Sequence, residues 1–538
     1  MKTKDIFLAI AAALTFAMVL YACKNPGEHV TIHINTDVLK SPMAVQFVNA
    51  VKGASNQPDD FPVTIAGKDA DKVVTISNKT DFKATDGRIF LALKKGVVAT
   101  AAAPIIFTVA AEVPGFTPAT KTFRITGDEP NAVVVPLVEY ANPAPGTTAK
   151  VQQNPLNGGI NASAIVIETP ATSGMAERAS ITIAAGTRFL DAAGNPINAS
   201  TLESRIVQYG TESLESLEAF PGGFNAINVI GENGQPIEGG IAFVTAGFIA
   251  IDLYAGGTEV KSFSQPLQVR MDINKNVQNP MTGALVKAGD VVPVWSLDDK
   301  IGQWKFEANA TVSADAQGNL SAGFAASHLS YWNFDWGIQY CNNQFKLSLK
   351  AQDAAPASYI VTVQAENGYH TSATVSISNG QADLFQRLPN TRLKFVVYNT
   401  SYNKLAETDY IDACAAGQAE LNIPAGAAVD LVNVNIKLQG TCPNKPVNEN
   451  ITTWVLLREK NSPVGIPAHA LNGRLNLRLK NNTEYVIDAQ YGDSYKTANI
   501  LFSKTNFTFP GTVSGTATYN QANNTLDVAA SFKLPNCN

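Results

Sequence analysis

Short β-branched stretches in which apolar and polar side chains alternate run along almost the whole chain, as in HVTIHINT (29–36), KVVTIS (72–77), PIIFTVAAEV (104–113), SITIAAG (180–186) and YIVTVQAENG (359–368). A two-residue period sends successive side chains to opposite faces of a strand, so each stretch buries its apolar face only by joining a sheet that packs on something else. Gly, Asn and Pro separate the stretches, and no amphipathic helix of convincing length interrupts them. SPMAVQFVNAV (41–51) fits a strand as well as a helix. The chain is therefore predicted to be all-β.

At 538 residues it is too long for a single core. The punctuation divides it into tandem immunoglobulin-like β-sandwich modules, each of the usual size of about 100 residues or somewhat more. The expected modules are an N-terminal sandwich at 30–140, a central β-domain at 160–341, a sandwich at 342–425 and a C-terminal sandwich at 430–538. EYANPAPGTTAKVQQNPLNGG, rich in Pro, Gly, Asn and Gln, reads as an exposed linker over 141–159.

Lys2 and Lys4 precede an apolar run from Ile6 to Leu20, too short to span a bilayer and suited to a signal-peptide core. The run ends in LYAC, which resembles a bacterial lipobox and makes Cys23 the expected lipidation site. Tyr21 is bulkier than usual there. Residues 1–22 are then a lipoprotein signal peptide and 23–29 a tether, and an acylated Cys23 with two or more chains would hold the protein on a membrane. The tether KNPGEH has no acidic cluster, which leaves both faces of the outer membrane open.

A formal charge of −5 gives no broad basic surface for nucleic acid. Beyond Cys23 the cysteines are Cys341, Cys414, Cys442 and Cys537, an even number in an exported chain, and their positions favour the pairs Cys341–Cys414 and Cys442–Cys537, each closing one C-terminal module. Their spacing does not suit zinc. DINKN (272–276) begins like a calcium loop but has Val277 where the turn needs Gly and Gly283 where the closing Glu belongs. His29, His33, His328, His370 and His469 are scattered. No metal and no cofactor is expected.

ITIAAGTRFLDAAGNPI (181–197), FSQPLQVRMDI (263–273), VPVWSLDDKIGQWKFE (292–307) and SYWNFDWGIQYC (330–341) resemble the domain that precedes the C-terminal modules of cartilage intermediate layer proteins, and similar domains of Bacteroidota lipoproteins. The shared pattern is Trp-Ser-Leu (Trp295–Leu297), Gly-x-Trp (Gly302–Trp304) and Asn-x-Asp (Asn333–Asp335) near a cysteine. The resemblance covers roughly the 160 residues of the central module, implies an extracellular β-domain and brings no catalytic residue with it.

Four of the five tryptophans fall in this region. Trp295 and Trp304 flank the polar turn SLDDKIGQ, so a hairpin with one Trp on each arm is predicted, with core positions for Trp295, Trp304 and Trp332. Trp336, beside Asp335 and Gly337, is the aromatic expected to be exposed and available for binding. ESLESLEAF (212–220) spaces Glu212, Glu215 and Glu218 for a short solvated helical turn. There is no Gly-x-Ser-x-Gly elbow, His-Glu-x-x-His pair or phosphate loop. The expectation is a non-enzymatic lipid-anchored envelope protein, a stalk, adhesin or scaffold, whose partners are the membrane and an envelope protein or polysaccharide. A glycan-binding accessory lipoprotein and a lipid-anchored hydrolase are the alternatives.

Overall fold

The computed structural model describes residues 40–534 apart from short stretches at 129–130, 353–356, 367, 378–379, 400–402, 426–429, 443–447, 461–465 and 492–493. The fold is all-β, and only short helices accompany the strands. The ambiguous segment near residue 41 is the strand Lys40–Asn49.

One topological device recurs. In the first module the opening strand Lys40–Asn49 pairs in parallel with the closing strand Asn131–Leu137. Phe345–Ala351 pairs in the same way with Gln418–Ile423, and Leu431–Thr441 with Thr525–Lys533. A parallel pair needs a long crossover connection, and here a whole module serves as that connection. In the first module the four-stranded sheet built on Lys40–Asn49 faces the three-stranded sheet of Thr64–Ala66, Ile105–Ala111 and Ala119–Ile125. Met43, Val45, Phe47, Phe107 and Phe123 fill the space between them.

The central module is larger. Its nine-stranded sheet runs from Thr147–Pro155 through Thr201–Tyr209, Ile241–Ala255, Tyr331–Ile338, Val291–Asp298 and Gln303–Thr311 to Val229–Ile230. A six-stranded sheet centred on Ser262–Ile273 and Leu320–His328 packs on one face of it. The expected linker is corrected by this sheet, because Thr147–Pro155 is a nine-residue strand paired along its length with Thr201–Tyr209. It is an edge strand whose Lys150, Gln152, Gln153 and Asn154 face outward in part, and edge strands tolerate the polar residues and Pro that make a sequence read as a loop.

The Cys341–Cys414 disulfide ties the entry of the third module to the short helix Ala413–Ala416 just before its closing strand. Cys442 is also disulfide-bonded. Cys537, its expected partner, lies outside the described residues, as do Cys23 and the rest of the expected signal peptide and tether.

Candidate functional site

The tryptophans occupy both faces of the nine-stranded sheet. Val291–Asp298 and Gln303–Thr311 form the expected hairpin, but a bulge between Val294 and Trp295 shifts its register, so Trp304 stands opposite Leu297 and Trp295 opposite Phe306. The Trp295 ring meets Phe306 edge-on at 5.4 Å rather than meeting Trp304. Trp304 packs against Phe243 at 4.9 Å between ring centres, with Phe220 and Phe248 at 6.4 Å. Trp332 lies on the opposite face of the sheet against Phe324 of the six-stranded sheet, at 4.8 Å.

Trp336 was expected on the surface and is not there. It is 2% exposed, and its indole N–H donates to the Val291 carbonyl at 3.1 Å. The reason is that Trp336 shares the face of Trp332, which the six-stranded sheet covers, on a strand that lies between Ile241–Ala255 and Val291–Asp298 in the middle of the nine-stranded sheet. The segment 210–240 and the neighbouring modules cover the face that a simple sandwich would leave to water: Phe220 and Phe224 pack onto it, and the Tyr369 hydroxyl of the third module donates to Asn225 at 2.8 Å.

The Asn-x-Asp motif lies on this second face. Asn333 and Asp335 are fully buried, the Asn333 amide donates to the Asp335 carboxyl at 2.5 Å, and the Trp295 indole N–H donates to the Asp335 carbonyl at 2.9 Å. Burial pushes the Asp335 carboxyl well above the usual carboxylate range, against a hydrogen bond from Thr245. The Trp295 bond is to the main chain at 335, so the backbone ties the tryptophan hairpin to the central strand, while the carboxyl bonds Asn333 on its own strand and Thr245 on the next.

One group of side chains has a catalytic look. The Ser296 hydroxyl donates to Glu307 Oε1 at 2.8 Å, and His328 Nε2 lies 3.2 Å from the same oxygen. Burial works to raise the Glu307 pKa, but hydrogen bonds from His328, Ser296 and Lys305 hold it at about 2. Nothing in the residues around His328 signals this partner, which lies 21 positions away on another strand. In a nucleophile–base pair the imidazole must accept the hydroxyl proton, whereas here serine and histidine both bond to the carboxylate, and Ser296 is only 4% exposed. The arrangement is a structural clamp between strands.

The expected helical turn is the helix Leu214–Glu218, and it docks instead of facing solvent. Glu215 forms an ion pair with Lys52 of the first module at 3.1 Å. Burial pushes Glu218 up to about 7, Lys52 opposing and Glu215 assisting, and its Oε1 is shielded from water. Sequence spacing identified the turn but carried no information about the module that covers it.

The richest polar cluster joins the first and central modules. The Tyr140 hydroxyl donates to Asp252 at 2.7 Å, the Tyr331 hydroxyl approaches the same carboxyl at 3.4 Å, and Tyr209 reaches Thr117 at 3.4 Å. Thr108 donates to the Ile301 carbonyl at 3.0 Å, and Thr120 bonds the Asp299 carbonyl. Asp252 is 7% exposed. Burial raises its pKa to about 7, the Tyr140 hydrogen bond and Arg205 opposing, Asp299 and Glu259 adding to the rise. An unfolded Asp titrates near about 3.9, so the folded chain holds an extra proton between there and about 7. Stability from this group is complete below about pH 4 and is lost as pH rises through about 7; Glu218 acts in the same direction. His370, held down to about 4 by burial, acts in the opposite one, its contribution being lost as pH falls from the ordinary histidine range. Asp252→Asn is expected to weaken the fall in melting temperature between pH 4 and 7 and to melt above the parent at pH 8. A pH profile of melting that matches the parent would contradict this assignment.

Among the described residues, no group of three or more His, Cys, Asp or Glu side chains is placed to hold a metal ion. Asp272 of the DINKN loop pairs with Arg270 at 3.1 Å and accepts the Arg178 amide at 3.0 Å.

No family model and no curated protein matches the chain. Among solved structures it is similar to GBS52, the minor pilin of Streptococcus agalactiae, at 11% identity over 36% of this chain and 98% of that one, with a TM-score of 0.15. It is also similar to the pilus adhesin SpaC of Lactobacillus rhamnosus GG, at 9% identity over 73% and 57% of the two chains, with a TM-score of 0.14. The major pilin subunit BcpA of Bacillus cereus aligns at 8% identity over 92% of this chain and 100% of that one, with a TM-score of 0.13, and likenesses at this level carry no argument about function.

Proposed function

We propose that this chain is a non-enzymatic protein of the cell envelope, held on the outer membrane by lipid on Cys23, whose four β modules form a scaffold or adhesin. One observation carries the reading: modules distant in sequence are docked through buried polar bonds. Arg88 of the first module pairs with Asp488 of the last, 400 residues away, in a site where the two side chains are 8% and 1% exposed. Ala44 and Phe90 of the first module pack beside it against Trp454 of the last. Chains of independent modules usually meet through small polar interfaces that permit relative motion. Buried ionic and aromatic contacts instead favour a fixed body that presents its surfaces in one arrangement, which suits a scaffold better than a flexible stalk.

The envelope setting is supported by the lipobox-like LYAC, by the disulfides, which persist in oxidising compartments, and by the resemblance of the central module to extracellular domains. Among the described residues no helix is long and apolar enough to cross a membrane. Cys23→Ser is expected to leave the protein unlipidated and to move it from the membrane fraction to the soluble fraction after detergent-free lysis. Continued membrane association with normal processing would refute the anchor, and protease shaving of intact cells would show which face is displayed. A pull-down of the mature protein from its envelope would identify an envelope protein or polysaccharide partner.

A further inference from the structure

The outer face of the nine-stranded sheet is not covered everywhere. Where the first module meets it, a cleft of about 480 Å³ remains open, a volume within the range of small-molecule sites. Its floor is laid out by strand register: Gln153, Glu203 and Tyr254 stand in one row across three adjacent strands, and Arg205 lies in the next row, opposite Asp252. Its wall is the first-module segment Glu112–Phe116 with Pro118 and Tyr140.

Arg205 is the central feature. Its guanidinium lies 4.9 Å from the centre of the Tyr254 ring and 5.6 Å from that of Tyr140, and Tyr140 is itself anchored by its hydrogen bond to Asp252. The Arg205 Nε donates to Glu203 Oε1 at 2.6 Å. Among the described residues no partner takes its two terminal amino groups, and the side chain keeps 33% of its surface. The guanidinium thus lies beside two rings and, with Nε engaged by Glu203, turns its two terminal amino groups to the open cleft, where a ligand can accept from them.

The charge around the fork selects among ligands. A free guanidinium fork would suit a carboxylate or phosphate. Here Glu203 already compensates Arg205 directly, and Glu112 adds a second carboxylate at the wall, shared with Lys300 at 3.2 Å. An added anion would meet two carboxylates, and an added cation would meet the guanidinium. A neutral group that both donates and accepts meets neither penalty. Vicinal hydroxyls fit this description, accepting from Arg205 while donating to Glu203, with the Gln153 amide offering both functions in the adjacent row. Pro114 and the Tyr254 ring supply apolar surface for the C–H face of a sugar ring.

We propose that this cleft binds a neutral glycan, with Arg205 and Glu203 engaging adjacent hydroxyls. The proposal goes beyond the scaffold reading and does not depend on the lipid anchor. The test uses the full chain extracted in mild detergent on an array of neutral and uronate-containing oligosaccharides, alongside Arg205→Lys, which keeps the charge and removes the fork, and Gln153→Ala on the partly exposed edge strand. Retention of at least one neutral oligosaccharide is expected, weakened roughly tenfold or more in Arg205→Lys, the scale of a missing hydrogen bond to a charged group, and roughly threefold or more in Gln153→Ala, the scale of a neutral one, both at unchanged melting temperature. If no neutral oligosaccharide is retained, if uronates are preferred, or if either variant binds like the parent, the proposal is overturned. Loss of binding accompanied by a lower melting temperature in Arg205→Lys leaves Gln153→Ala to decide. Failure of the membrane-fraction experiment would leave this result untouched.

Discussion

Trp304→Ala is expected to destabilise the central module by about 3–5 kcal/mol, the usual cost of removing a buried aromatic through lost burial and the cavity left behind. Trp304 is 2% exposed and touches aromatic side chains from two other parts of the module: Phe243 and Phe248 on Ile241–Ala255, and Phe220 from the covering segment 210–240. The cavity could not readily close. A Cβ at Gly222 would lie 2.8 Å from the Trp304 ring, and at a φ of +77° that position also disfavours a side chain, so the covering loop is shaped to the indole and has nothing with which to replace it. Because the ring holds 210–240 against the sheet, the loss should also raise amide exchange in that segment. Calorimetry of the full chain, with the central transition assigned by hydrogen exchange, checks both effects. An unchanged transition with unchanged exchange at 210–240 would show that the ring has no such role.

Asp488→Ala is the second large effect, also about 3–5 kcal/mol, and it falls on the junction of the first and last modules. Asp488 bonds Arg88, accepts from Arg458 at 3.2 Å and accepts the Thr497 hydroxyl at 2.8 Å. Deleting the carboxylate takes from the buried Arg88 charge, 8% exposed, its ion pair with the last module. The cost comes from that buried charge more than from the bond itself, so a variant that replaces both partners by apolar residues, Arg88→Met with Asp488→Leu, is expected to recover much of the loss. The readout is whether first and last modules unfold together. They are expected to melt in one coupled transition in the parent and in the double variant, and separately in Asp488→Ala. Coupling unaffected by Asp488→Ala would remove the main support for a single rigid scaffold.

Strand positions, the hairpin around residue 300 and the burial of Trp295, Trp304 and Trp332 were all legible in local alternation and turn chemistry, because a two-residue period reports that a strand has a buried face. The same local signal does not say whether the other face is buried too. Asp335 on Tyr331–Ile338 follows from that gap, because the segment 210–240 folds over its face, whereas Trp336 on the opposite face is buried with Trp332 towards the six-stranded sheet, and no residue near 336 records either cover. Thr147–Pro155 is the converse case, a strand with a composition suited to a loop because it lies at an edge and keeps much of its surface in water.

By itself the sequence determined an all-β chain of several modules, the cysteines at 341 and 414 that close one of them, and an apolar run ahead of Cys23, since each of these is written in neighbouring residues or in residue type. Only the tertiary structure decided which modules touch. The Arg88–Asp488 pair, the Tyr140–Asp252 bond and the open fork of Arg205 arise where strands from separate modules meet. Each of these residues alone reads as an ordinary surface charge or tyrosine. Burial and charge compensation are properties of the completed interface, fixed by how whole sheets pack, and for that reason the candidate site was beyond the reach of local pattern.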